Sequence, residues 1–145
     1  MRKLSVLILF LASMICAQSA LATGGQGSAW GRAVSTMVMV SFPDSGTTFL
    51  PPADVAAVLE DARNAAMIYI NGRTSTNHPS ARDEILALKR ALSARKYLID
   101  RLGVAPQKIM INFVSAADYV TENITPEGRY ANQRVEVELI YIPML

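Results

Sequence analysis

The residue types that carry most catalytic chemistry are scarce in this sequence. His78 is the only histidine, in a polar loop beside Pro79, and Cys16 is the only cysteine. This pair cannot supply a zinc site, and a histidine acting as general base needs an orienting partner. The chain also lacks a nucleophile elbow, a phosphate-binding loop and a dinucleotide-binding fingerprint. We therefore expect a non-enzymatic protein without cofactor or metal, in which His78 is a solvated loop residue.

Two polar segments remain as candidate binding regions. The first is Gly72–Ser75, which directly follows a predicted strand and precedes a long predicted helix carrying Arg90. The second is Thr125–Glu136, with the sequence TPEGRYANQRVE, which leads into the last predicted strand. For Arg129 and Arg134 we favour a structural interpretation, in which they pair with carboxylates and fix the last loop.

Hydrophobic periodicity predicts the elements that position these segments. Apolar residues alternate in the first and last strands, and Glu136 and Glu138 fall on the opposite face of the last strand, which must be partly wet. The predicted elements are strand 34–42, helix 53–65, strand 67–70, helix 80–102, a strand over 109–113 and strand 134–142. With a loop before the last strand, this order predicts a single α+β domain, βαβαββ, with a mixed four-stranded sheet and helices packed on one face.

The long helix has clear boundary signals. Ser80 and Asp83 form a variant capping box, and Gly103 is placed to end the helix in a left-handed conformation. Arg90 lies about 200° around the helix from Leu88, away from the predicted apolar stripe, so we expect it to face a groove. The predicted stripe contains Leu88, Ala91, Leu92, the Arg95 stem, Leu98, Ile99 and Leu102.

These segments resemble the OmpA-like C-terminal domain family, the peptidoglycan-associated module of Gram-negative envelopes. The most specific match is T-x-x-G-R-x-x-N-x-R-V-E at Thr125–Glu136, and the helix adds Arg90-Ala91, Tyr97-Leu98 and Gly103-Val104. The resemblance covers roughly residues 34–142. It implies a mixed sheet with helices on one face, in agreement with the periodicity.

The resemblance also implies a binding site for the peptide stem of peptidoglycan. In the family, an Asp after the second strand and an Arg on the long helix bind the ammonium and carboxylate of diaminopimelate. The Arg matches Arg90, but Ser75 stands at the Asp position, beside Thr74. A hydroxyl cannot neutralise an ammonium, and the lost charge-assisted hydrogen bond is worth about 1.5–3 kcal/mol. Asp83, where the family has Asn, is a candidate source of the missing charge.

Two functions remain open at this point. The first is a binding module that contacts peptidoglycan weakly through Arg90, Ser75, Thr74 and Asp83. The second is a structural subunit of an envelope secretion or conjugation machine that has kept the fold and lost the ligand. In either case we expect other envelope proteins as partners.

The start of the chain predicts export. Arg2 and Lys3 precede an apolar run that ends at Ile15, and Ala20-Leu21-Ala22 is a small-x-small cleavage site, which predicts a signal peptide over 1–22. The run is too short for a membrane anchor, and Ile15 before Cys16 disfavours a lipoprotein signal. We therefore expect a periplasmic protein with a flexible leader over 23–33, a domain over 34–145 and no transmembrane segment. An outer-membrane association would then run through a partner.

Removal of the signal leaves 123 of 145 residues, with 12 basic against 12 acidic side chains and no cysteine. A net charge near zero gives no reason to expect a nucleic-acid partner. A chain of this length can bury a core without disulfides.

Overall fold

The computed structural model describes residues 32–143. The predicted signal peptide and all but two residues of the predicted leader lie outside this range. The described elements, in chain order, are β1 (Val34–Ser41), α1 (Ala53–Leu59) with a 3-10 turn over Glu60–Asn64, β2 (Met67–Arg73), α2 (Ala81–Asp100), a 3-10 turn over Pro106–Lys108, β3 (Ile109–Val114), α3 (Pro126–Asn132) and β4 (Arg134–Tyr141).

The four strands form one mixed sheet in the order β1-β4-β2-β3. The last strand, β4, runs antiparallel to both of its neighbours, whereas β2 and β3 are parallel. Alternate residues of β4 enter the core between the sheet and the helices, namely Val135, Val137 and Leu139. The predicted α+β fold with a mixed four-stranded sheet is therefore confirmed.

The second strand is longer than the sequence indicates. Asn71-Gly72 reads as a strand end, yet β2 continues to Arg73, and Gly72 pairs with Phe113 and Val135 inside the sheet. A Cβ atom on this glycine would lie 2.1 Å from the carbonyl oxygen of Ala87. The glycine therefore permits close approach of α2 to the sheet, instead of forming a turn.

The predicted stripe of α2 is right in part: Ala91 and Leu98 are buried, and Ile99 and Leu102 pack against the core. The close approach explains the rest. Small side chains allow the helix to sit near the sheet, and Leu92 is 45% exposed. Leu92 was expected to face inward, and this is wrong, because periodicity alone cannot show how near the two layers lie. The buried residues of α2 are Ala87, Arg90, Ala91, Ala94 and Leu98.

Both ends of α2 agree with the sequence. Ser80 accepts a hydrogen bond from the backbone N–H of Asp83 at 3.1 Å, as a capping residue does. At the other end Gly103 has φ 66°, and its N–H donates to the carbonyl of Ile99 at 3.1 Å. The Ser80 contact fixes the start of the helix shortly after the first candidate segment, Gly72–Ser75.

The expected loop before the last strand contains a helix, α3. Its seven residues begin after Thr125, whose hydroxyl accepts from the N–H of Gly128 at 3.0 Å, and Pro126 opens the first turn. The helix is too short to show a periodic apolar stripe, and a glycine inside it disfavours a helical assignment. A Cβ on Gly128 would lie 2.0 Å from the carbonyl of Glu122, so packing requires the glycine.

The sheet face opposite the helices is open within the described residues. Glu136 and Glu138 lie on this face in the central strand β4 and are half-buried, so the expectation of a partly wet face is confirmed. The exposed apolar side chains around them are Met37, Met39, Met67, Tyr69 and Met110. Across residues 32–143, no helix is long and apolar enough to span a bilayer.

Candidate ligand-binding cleft

All four predicted site residues line one cleft. Thr74 and Ser75 follow β2, Asp83 lies in the first turn of α2, and Arg90 lies two turns further along that helix. The cleft has a volume of about 190 Å³. The remaining lining residues are Asp44, Ser45, Thr76, Leu86 and Gln133.

Arg90 forms the floor of this cleft and is fully buried, with 0% of its surface exposed. Its Nε donates to the carbonyl of Gly46 at 2.9 Å, and one terminal nitrogen donates to the carbonyl of Arg73 at 3.1 Å. The other terminal nitrogen donates to the carbonyl of Pro43 at 3.3 Å and to Oε1 of Gln133 at 3.2 Å. The expectation that Arg90 lies off the buried face of α2 is therefore wrong, although its guanidinium does reach the cleft.

Burial changes the electrostatics of this guanidinium. Loss of solvation lowers the pKa of Arg90 to about 10, and the nearby carboxylate of Asp44 partly opposes that shift. The group stays protonated at neutral pH. Its central carbon lies 5.2 Å from the ring centroid of Phe42, close enough for a cation–π contact. The cleft floor is therefore a fixed positive charge held mainly by backbone carbonyls.

Two carboxylates lie above this charge. Asp44 is exposed, and its Oδ1 accepts from Nε2 of Gln133 at 2.7 Å. The carboxylate of Asp83 accepts from the hydroxyl of Ser80, which completes the capping box. Since both acids line the cleft, the arrangement can bind a group that carries a positive charge next to a negative one.

The loops around the cleft are tied to each other. The hydroxyls of Thr74 and Thr76 lie 3.0 Å apart, and the carbonyl of Thr76 accepts from the hydroxyl of Tyr119. The carbonyl of Ser75 accepts from the side-chain amide of Asn123. The loop between β3 and α3 therefore fixes the segment that carries Ser75.

Arg134 has the structural role expected of it. It is 1% exposed, and its Nε donates to Glu136 at 2.9 Å while a terminal nitrogen donates to the carbonyl of Asp118 at 2.6 Å. Arg129 donates to the carbonyl of Ile124 at 3.0 Å, so it also holds this loop, but through a backbone carbonyl in place of the expected carboxylate. Neither arginine lines the cleft.

Other predictions of the sequence can be placed as well. His78 is an exposed loop residue and does not line the cleft, as expected. Within residues 32–143, no three His, Cys, Asp or Glu side chains come together as metal ligands would. Sequence reasoning missed Asp44 and Gln133 as cleft residues. Pro43-Asp44-Ser45-Gly46 is a typical turn sequence, and nothing local indicates that this turn meets α2.

The sequence pattern of the OmpA family matches residues 48–133. The chain belongs to the OmpA family. This match covers more than half of the chain and includes β2, α2, β3 and α3. The resemblance drawn from the Thr125–Glu136 motif and from the helix is therefore confirmed.

The chain is also similar to curated proteins of other bacteria. A protein of Brucella suis, assigned to its type IV secretion system as an outer membrane lipoprotein, is 30% identical over 118 residues. That alignment covers 79% of this chain and 68% of the relative. The peptidoglycan-binding protein ArfA of Mycobacterium bovis is 30% identical over 106 residues, covering 68% of this chain and 31% of ArfA.

Solved OmpA-like structures share the fold. The cell wall anchor of the type VI secretion system from Pseudomonas aeruginosa superposes with a TM-score of 0.57 at 21% identity, covering 74% of this chain and 82% of that one. The peptidoglycan-associated lipoprotein from Burkholderia pseudomallei gives 0.57 at 20% identity, covering 72% and 89%. At these identities the comparison supports the architecture alone.

Proposed function

We propose that this protein is a non-enzymatic OmpA-family module of the periplasm that contacts the peptide stem of peptidoglycan weakly, as part of an envelope assembly. The observation that carries the proposal is the convergence of Thr74, Ser75, Asp83 and Arg90 on one cleft. The resemblance of the sequence to the family points to the same four residues.

The charges of the cleft suit the free end of diaminopimelate. That end carries an ammonium and a carboxylate on one carbon. Asp44 and Asp83 can attract the ammonium at the rim, and the guanidinium of Arg90 can attract the carboxylate from below. Ser75, at the rim beside them, contributes a hydroxyl but no charge.

The same geometry explains why the binding should be weak. Arg90 already makes four hydrogen bonds to the protein, so a ligand carboxylate gains at most one new donor unless an internal bond is broken. A rim hydroxyl in place of a carboxylate costs a further factor of roughly tenfold to a hundredfold in affinity.

Names of relatives support the location and the ligand. ArfA is named for peptidoglycan binding, and the Brucella suis relative is assigned as an outer membrane lipoprotein. A peptidoglycan contact requires a module on the periplasmic side of the inner membrane. The signal peptide expected at residues 1–22 would deliver it there.

Cosedimentation with purified sacculi tests the proposal. The natural protein should bind weakly, and Ser75→Asp should bind roughly tenfold to a hundredfold more tightly, because the rim regains a charge-assisted hydrogen bond. Thr48→Asp is the matched control, since Thr48 is exposed and lies outside the cleft. If Ser75→Asp folds normally and neither protein sediments with sacculi, the proposal is rejected.

Two observations favour a second function, that of a scaffold subunit in a secretion machine. Arg90 is bound internally, and a 30% identical relative is assigned to a type IV secretion system. A module used only as a scaffold would keep the fold without a working cleft. Absence of sacculus binding in both the natural protein and Ser75→Asp would favour the scaffold function.

A further inference from the structure

The first strand forms one edge of the sheet. Within the described residues β1 pairs only with β4, and both of its faces are largely exposed over its first half. Val34 is 55% exposed, Met37 57% and Met39 47%. The opposite edge, β3, is two residues shorter and is packed against α2 on one face.

The hydrogen-bonding phase of β1 follows from one contact next to it. The N–H of Phe42 donates to the carbonyl of Gln133 at 2.6 Å, in continuation of the register that pairs Ser41 with Arg134. In an antiparallel ladder, residues alternate between bonding to the neighbour and pointing away from it. Even-numbered residues of β1 therefore bond to β4. The residues whose N–H and C=O groups point outward are Ser35, Met37, Met39 and Ser41.

This edge carries none of the devices that normally prevent strands from pairing. The sequence of β1 is VSTMVMVS, without a charged residue or a proline. Its register with β4 is continuous from Val34 opposite Tyr141 to Ser41 opposite Arg134, so no bulge twists the edge away. The outward backbone groups thus form a regular, neutral row.

We propose that β1 pairs antiparallel with β1 of a second copy of this chain, around a two-fold axis at Val38. That register places Met37 opposite Met39 and Ser35 opposite Ser41 of the copy, so that every pair matches two outward-pointing residues. It gives about eight intermolecular backbone hydrogen bonds. Shifting the axis by one residue to Met37 gives about six, because Ser41 then lies opposite a residue beyond the strand.

The distribution of charge favours a second copy over a charged partner strand. No side chain of β1 is charged, so two copies meet without charge repulsion along the seam, the line where the two β1 strands pair. The acidic side chains on the open face, Glu136 and Glu138, lie on β4, which is one strand further in. Three strand spacings separate them from their counterparts, about 14 Å, which exceeds the Debye length of about 8 Å at physiological salt.

The pairing also gives Met37 and Met39 a partner. Side chains directly opposite each other in a sheet pack within about 5 Å, so Met37 of one copy would contact Met39 of the other copy. The two sheets would then continue as one eight-stranded sheet whose open face carries a methionine cluster at its centre.

Cysteine crosslinking of the natively processed protein tests the register. Val38 lies on the proposed axis as a non-hydrogen-bonded pair, where the Cα atoms are about 4.5 Å apart, within the range of a disulfide. Val38→Cys should form a disulfide-linked dimer on mild oxidation, and Met110→Cys on the opposite edge should not. The natural protein, whose only cysteine is Cys16, controls for crosslinking through that residue. A Val38→Cys protein that stays monomeric, or equal crosslinking of Met110→Cys, overturns the proposal.

Sedimentation velocity provides a second readout that needs no cysteine. Met37→Pro removes an N–H that points away from β4, and proline is tolerated at such edge positions. The dissociation constant of the dimer should rise at least roughly tenfold while the fold is kept, because both copies lose a bond across the seam. Met39→Lys is a second disrupting variant and Met110→Lys its control. A natural protein that sediments only as a monomer, or as a complex in which a different protein covers β1, contradicts the inference.

Discussion

Arg90 and Gln133 are joined at the floor of the cleft, where a terminal nitrogen of the guanidinium donates to Oε1 of the amide at 3.2 Å. The amide nitrogen of Gln133 in turn donates to Asp44 at 2.7 Å. A single neutral side chain therefore links the buried cation to the exposed carboxylate. Because an amide is both donor and acceptor, it can satisfy both charges at once.

Removal of this link should destabilise the protein. Gln133→Ala takes away one acceptor from a buried guanidinium, and we expect the free energy of unfolding to fall by about 1–3 kcal/mol. Gln107→Ala, on an exposed turn, should change it by less than about 0.5 kcal/mol. Urea denaturation of the two variants measures both values. Equal, small effects would mean that Gln133 does not support Arg90.

The contact between Gly72 and α2 gives a larger expected effect. An added Cβ would meet the carbonyl of Ala87 at 2.1 Å, so Gly72→Ala must displace the helix, at a cost of about 3 kcal/mol or more. Gly103→Ala should cost only about 1–2 kcal/mol, since its penalty comes from the left-handed backbone alone. Thermal unfolding of both variants tests whether Gly72→Ala is the less stable one. A Gly103→Ala protein that is less stable than Gly72→Ala would refute the prediction.

Asp118 should contribute more to stability than its exposed position suggests. It accepts from Nε of Arg73 at 3.0 Å, and the Arg73 side chain is only 6% exposed. Asn also tolerates a φ of 54°, so Asp118→Asn removes the charge without straining the backbone. We expect the free energy of unfolding to fall by about 1.5–3 kcal/mol because the charge is lost. The control is Asp100→Asn, whose partner Lys96 is exposed, with an expected loss below about 1 kcal/mol. Denaturation that shows no difference between the two pairs would contradict this expectation.

The signal peptide expected at residues 1–22 predicts where the mature protein begins. We expect it to begin at Thr23, because Ala20-Leu21-Ala22 forms a cleavage site after the apolar run. The question matters since a relative in Brucella suis is assigned as a lipoprotein. Intact-mass spectrometry of the exported protein should match residues 23–145, and Cys16→Ser should leave that mass unchanged. A lipid-modified N-terminus at Cys16 would overturn the prediction.

Local signals in the sequence were sufficient to locate the four strands and the two ends of α2. Alternating apolar residues placed β4 with its correct face inward, and Ser80 and Gly103 marked the limits of α2. Such signals involve only a few neighbouring residues, so they can be recognised without knowledge of the tertiary structure. The Thr125–Glu136 motif pointed to the family for the same reason.

Features that depend on long-range packing were not predictable in this way. The phase of α2 follows from its approach to Gly72, which sequence periodicity cannot show. The contact between Asp44 and Gln133 joins residues 89 positions apart, so neither had a local reason to be assigned to the cleft. The burial of Arg90 has the same origin, because its acceptors come from the turn after β1, from β2 and from Gln133.

Asp44 provides the last prediction, which rests on the proposed function. Asp44→Asn keeps an oxygen that can accept from Gln133, so it removes the charge with little change in shape. If Asp44 attracts the ligand ammonium, this variant should bind a soluble diaminopimelate-containing stem peptide about tenfold more weakly. Ser75→Asp in the same background should restore the lost affinity, because a second rim residue then supplies the carboxylate. Isothermal titration of the natural protein, the two single variants and the double variant gives the coupling between the two positions, and added salt should reduce both effects.

Asp54→Asn is the control, since Asp54 is exposed outside the cleft. Equal effects of Asp44→Asn and Asp54→Asn would show that Asp44 does not contact the ligand, and the ammonium would then have to be sought at Asp83.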